Sequence, residues 1–146
     1  MALKLGWLAC RGDELGLGAD EIVRSHAYNG WLVAVLRGGW ADVRDVAWNV
    51  SNDNGPTIAF FVYNGRWSTS VWDRGVLIGE IDRHEQRPSG DLLKAAQKLG
   101  ADPGLLRAYA NAQGKAFDDD EFEIEHEMCH VHLAKRLGIA FEQPAH

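Results

Sequence analysis

The chain has 146 residues, 46% of them hydrophobic and 25% charged, with a formal charge of -6 and two cysteines. That length supports one core burying roughly 70% of the unfolded surface without cross-links, and the composition excludes a disordered chain. The acidic balance argues against general nucleic-acid affinity, which needs Lys and Arg to neutralise phosphates, and no apolar run approaches the ~20 residues of a membrane-spanning helix. Two distant cysteines, Cys10 and Cys129, and charged Arg11, Asp13 and Glu14 soon after the first residues lead us to expect a reducing, cytoplasmic setting with no membrane partner.

We expect a single α+β domain. Residues 1–30 form an N-terminal segment with Gly6, Gly12, Gly16 and Gly18 and a short helix over 20–26 capped by Asp20. Gly16-Leu17-Gly18 follows no convincing strand and is joined by no Lys-Ser or Lys-Thr, so it is no phosphate loop. Arg11-Gly12-Asp13 spells an adhesion tripeptide but reads more simply as a turn.

Residues 31–81 read as an antiparallel β-meander of about five strands: Trp31 to Leu36, Val43 to Val50, Thr57 to Tyr63, Arg66 to Trp72 and Val76 to Ile81. Asn64-Gly65 between two of them is a strong two-residue hairpin signal, since both turn positions need positive φ. Alternation along the strand from Trp67 predicts one packed face and one partly wet face carrying Ser68 and Ser70. All six tryptophans precede residue 73, as core filling or as an aromatic binding face.

Over 89–138 the period becomes helical, with three helices expected on one face of the sheet. Ser89 caps a helix ending at Gly100; Asp102 and Pro103 open a second, ending near Gly114; a third runs from Asp118 to Leu137 and stops at Gly138. Residues 139–146 form a tail. The first pair has the short connection of a helix-turn-helix, but its second helix carries only Arg107, so DNA reading is not expected.

The third helix holds the chemistry. His126 and His130, four apart, project from one side with Glu127 beside them. The run His126-Glu127-Met128-Cys129-His130 resembles the zinc metallopeptidase motif over five residues. The resemblance implies a zinc-dependent metallohydrolase with His126 and His130 as metal ligands and Glu127 as catalytic general base acting on a zinc-bound water. A third ligand would come from Glu142, His146, His84, His26 or Asp118. The plainer reading sets the histidines at the core edge, beside a stripe of Phe122, Cys129, Leu133 and Leu137, with no cofactor.

Seven acidic residues occupy 118–127: Asp118, Asp119, Asp120, Glu121, Glu123, Glu125 and Glu127. The first few suit the positive end of a helix dipole; seven exceed that need. Such a ridge, with Asp118, Asp119, Asp120, Glu121 and Glu123 as the partner-binding set, fits a basic protein groove by imitating the phosphates the groove normally holds. Acidic proteins that neutralise nuclease toxins act in this manner. The expectation is therefore a noncatalytic, acidic protein-binding domain of the immunity or inhibitor kind, with the zinc hydrolase as the alternative.

Overall fold

The computed structural model describes residues 4–12, 22–36, 40–63, 66–82, 87–111 and 129–139. In chain order they form β1 (Lys4–Cys10), β2 (Ile22–Tyr28), β3 (Trp31–Leu36), α1 (Trp40–Asn54), β4 (Thr57–Tyr63), β5 (Arg66–Asp73), β6 (Val76–Asp82), β7 (Arg87–Gly90), α2 (Leu92–Lys98), α3 (Leu105–Asn111) and α4 (Cys129–Leu137). The fold is α+β. Its seven strands make one antiparallel sheet in the order β2-β3-β1-β4-β5-β6-β7.

This corrects the expected five-strand meander. The Trp31 to Leu36 strand is not followed by its spatial neighbour, because β1 lies between β3 and β4. The segment expected as a strand over 43–50 is instead the middle of α1. Val43, Val46, Ala47 and Val50 are buried at i, i+3, i+4 and i+7, the spacing of one helix face, and that burial overrides the strand preference of valine. The helix expected over 20–26 is mostly strand: β2 pairs with β3 across Asn29 (φ 52) and Gly30 (φ 82), a tight turn that sets Tyr28 opposite Trp31. The Asn64-Gly65 hairpin reading agrees with the register, in which Tyr63 faces Arg66.

Both faces of the sheet are covered. Trp7, Ala9, Trp31, Val33, Ile58, Phe60, Val71 and Ile81 join one buried cluster; alternate residues Leu8, Cys10, Ala34, Leu36, Ala59 and Trp72 join the other. Strands so placed read as near-continuous apolar runs, which is why β1, β3 and β4 show little alternation. The expected wet face of β5 is corrected by the same fact, since Ser68 and Ser70 are buried. Trp7 stacks on Phe60 with ring centroids 4.0 Å apart.

α1 packs on the sheet through the second cluster, close enough that a Cβ on Gly6 would stand 2.7 Å from Val43 Cγ2. Helices on one face alone were expected; buried residues of α2, α3 and α4 do gather in the first cluster, and α1 adds cover to the opposite face. The C-terminal end of α1 is tied to the β5–β6 turn: the Ser51 carbonyl accepts from the N–H groups of Gly55 (2.9 Å) and Arg74 (3.1 Å), and Ser51 Oγ accepts from Gly75 N–H at 3.0 Å.

The cap of α2 is Asp91 rather than Ser89: its Oδ1 accepts from Lys94 N–H at 3.0 Å, while Ser89 belongs to β7. Asp102 precedes α3, its Oδ1 accepting from Gly104 N–H at 2.9 Å, but Pro103 and Gly104 form a turn and the helix starts at Leu105 rather than at Pro103. α4 ends at Leu137, with Gly138 at φ 77, where the stop was expected.

Candidate functional site

α4 carries the described end of the segment singled out by the sequence, and its placement is well determined by packing and by polar contacts. Leu133, Ala134 and Leu137 are buried against the sheet, while Lys135 and Arg136 in the last turn are exposed, where cations complement the negative helix end. Gly138 N–H donates to the Lys135 carbonyl at 3.1 Å and Ile139 N–H to the Ala134 carbonyl at 2.8 Å, closing the helix. Two side chains of the β2–β3 hairpin complete the closure. Buried Trp31 Nε1 donates to the Leu137 carbonyl at 3.1 Å, and Asn29 Nδ2 donates to the Gly138 carbonyl at 3.2 Å.

Arg11 lies over the Trp31 ring at 3.7 Å and donates through Nη1 to the Asn29 carbonyl at 3.4 Å. Partial burial pulls its guanidinium pKa below the usual arginine value. The hairpin, Arg11 and the end of α4 thus form one connected clamp, so the helix enters the sheet at a fixed point.

Asp118, Asp119, Asp120, Glu121, Glu123, His126 and Glu127 lie outside the described residues, as do His84, Glu142 and His146. His130 is in the first turn of α4. His26 is on β2, half-buried. Among the described residues, no three His, Cys, Asp or Glu side chains are grouped so as to hold a metal ion. No helix among the described residues is long and apolar enough to cross a membrane. Cys10 is a free, buried cysteine on β1, and burial pushes its thiol pKa up, away from the reactive thiolate.

A polar cluster that sequence reasoning missed sits on the α1 side of the sheet. Ser70 faces Glu80, and Ser68 faces Asp82 across β5 and β6. Arg44 from α1 ion-pairs with Glu80 and lies 5.6 Å over the Trp72 ring, while Trp72 Nε1 donates to Ser70 Oγ at 2.9 Å. Arg44 was hidden by reading its segment as a strand; on a helix whose stripe is Val43, Val46, Ala47 and Val50, it falls beside the buried face. The Arg44–Glu80 pair clasps α1 to β6, while Ser68 Oγ is buried without a hydrogen-bond partner among the described residues.

The pair is partly open to solvent, its side chains 33% and 21% exposed. Arg44→Met should therefore cost about 1 kcal/mol in low salt, with a smaller loss in 1 M salt, as read from urea unfolding. A salt-independent loss of several kcal/mol would show the pair to be functionally dry.

An open depression of about 800 Å³ lies between the α2–α3 connection and α4, with Gly100, Asp102, Gly104, Leu105 and Arg136 in its lining. Among the described residues it holds one carboxylate, Asp102, and one cation, Arg136. Compared with family models, curated proteins and solved structures, the chain gives no match to any of the three.

Proposed function

We propose that the chain is a noncatalytic, acidic protein-binding domain of the immunity or inhibitor kind, acting in the cytoplasm on a basic protein such as a nuclease toxin. The observation that carries this reading is the run of seven carboxylates within residues 118–127, leading into α4. A dense acidic segment adjoining an anchored helix loses less freedom on binding than a free tail would, and its charge speeds encounter with a basic groove.

The test is binding to a panel of basic nucleases, by titration calorimetry at 50 and 300 mM salt. Reversing Asp118, Asp119, Asp120, Glu121 and Glu123 to lysine should weaken binding about 100-fold or more at low salt, because several complementary pairs become repulsive. Unchanged affinity in that variant sinks the acidic-groove reading.

The spacing of His126, Glu127 and His130 favours a second reading, a zinc-dependent hydrolase. Elemental analysis of untagged protein separates the two. About one zinc per chain that disappears in His126→Ala/His130→Ala supports the hydrolase, with Glu127→Gln then expected to retain zinc and lose turnover; no zinc in either protein removes it.

A further inference from the structure

The solvent face of α1 is not built the way a merely solvated helix face is built. Asp45, Trp48, Asn49 and Asn52 fall at i, i+3, i+4 and i+7 and are all exposed, as is Asp53 beside them. Exposed helix faces usually carry Lys, Glu, Arg and Gln, which favour the helix and hold water; Asp, Asn and Trp are weaker helix formers. Asn52 and Asp53 have a local reason, being near the end of the helix, where Arg74 Nη1 reaches the Asn52 carbonyl at 3.5 Å and Asn54 Nδ2 donates to the Val50 carbonyl at 3.1 Å. Asn49 bonds only back to the Asp45 carbonyl, at 3.1 Å.

Trp48 has no such reason. It is 47% exposed, whereas Trp7, Trp31 and Trp72 are buried. A large aromatic standing in water on a rigid helix, ringed by short polar side chains, has the make-up of an interface anchor. Asp45 lies one turn before Trp48 on the same face, Arg44, the one basic residue of α1, turns to Glu80 in the polar clasp, and Arg74 stands at the far end of the helix on the Asn52 carbonyl.

We propose that this face of α1 is an arginine-reading contact surface for the basic partner, with Trp48 stacking on an exposed guanidinium and Asp45, one turn away on the same side, pairing with it. The proposal rests on the protein-binding reading above and adds the chemistry that the partner must present, arginine rather than lysine. A planar guanidinium stacks on an indole and pairs with a carboxylate at once, whereas an ammonium is a compact, strongly hydrated charge that does so less well.

The test uses fluorescein-labelled nona-arginine and nona-lysine peptides, with anisotropy titrations of the full chain at 50 mM salt. Wild type should bind the arginine peptide about fivefold more tightly than the lysine peptide. Trp48→Ala should weaken the arginine peptide about fivefold and erase the preference, Trp48→Phe should keep part of it, and Asp45→Asn should reduce it. These positions are exposed, and circular dichroism checks that each variant is folded.

Equal binding of the two peptides by wild type, binding of neither, or a preference that survives Trp48→Ala overturns the proposal. The lysine-reversed 118–123 variant separates this failure from that of the broader reading. With the proposal correct, that variant loses affinity for both peptides equally and retains the arginine preference. If instead it binds both as wild type does, the acidic run is not the contact, while a preference lost in Trp48→Ala still assigns the α1 face.

Discussion

Trp31→Ala should destabilise the protein by about 4 kcal/mol, a large share of the 5–15 kcal/mol typical of a domain. Three losses coincide at this residue. Its side chain is 1% exposed within the larger cluster, so truncation leaves a cavity that the flanking strands cannot close. Its Nε1 donates to the Leu137 carbonyl, one of the groups that a helix end leaves without an intrahelical partner. Its ring carries Arg11, whose guanidinium would then lose its stacking surface.

Trp31→Phe separates the packing from the hydrogen bond, and should cost about 1 to 2 kcal/mol. Urea unfolding measures both variants, and hydrogen exchange at 133–137 should quicken in each, since the end of α4 loses a clamp. Equal losses in Phe and Ala would mean that the indole N–H carries the site; a loss under about 1 kcal/mol in Ala would mean that the hairpin does not hold α4 at all.

The second large effect is expected at Gly90, where β7 passes into α2. Its φ is 77, and a Cβ there would drive into the Ile78 carbonyl oxygen and stand 2.9 Å from Gly79 Cα. Both obstacles are backbone of a paired strand, and Asp91 N–H is bonded to that same Ile78 carbonyl at 2.9 Å. Nothing nearby can swing aside. Gly90→Ala should cost about 3 kcal/mol or more, combining left-handed strain with the collision.

Gly100→Ala is the control. Gly100 has the same φ of 77, but a Cβ would meet nothing within 4 Å, so this variant isolates the conformational penalty at about 1 kcal/mol. Equal losses in the two variants, by urea unfolding, would show that the β7–α2 passage can shift to make room, contrary to its bonding.

The errors of sequence reading have physical causes that can be located. Val43, Val46, Ala47 and Val50 display a helical period, but three valines between positions 43 and 50 of a β-rich stretch weigh toward a strand by propensity, and period should have prevailed. The Asn29-Gly30 pair obeys the same hairpin rule that gave Asn64-Gly65, yet the acidic Asp20-Glu21 pair upstream favoured a helix start. β1 went unread because a strand buried on both faces has no alternation, and Gly6 within it looks like a breaker. Gly6 in fact lies where Val43 of α1 packs close against the sheet. Gly138 was legible as a stop because positive φ after a helix has one usual solution.

For the site, the ends were legible and the connections were not. The carboxylates of 118–127 and His126 stand out in sequence by density and spacing, and they lie outside the described residues. Arg44 with Glu80 and Trp31 with Leu137 join residues remote along the chain, the first side chain to side chain and the second from an indole N–H to a helix-end carbonyl. No local pattern announces such pairs. The exposed Trp48 was within the set of tryptophans considered for a binding face on the sheet, but it stands on α1.

The central position of β1 constrains how the molecule can assemble. It is the first strand in the chain, yet its two neighbours, β3 and β4, come later, with Lys4 meeting Tyr63 only after a helix has been traversed. Each such pairing closes a long loop before any contact rewards it, which slows folding relative to hairpins that zip locally. During synthesis the apolar Trp7-Leu8-Ala9-Cys10 stretch keeps one edge open after β3 has emerged, until β4 has left the ribosome. A chaperone that shields this stretch would therefore raise the yield of folded protein more than one acting on the β4–β7 hairpins, which can form as they emerge.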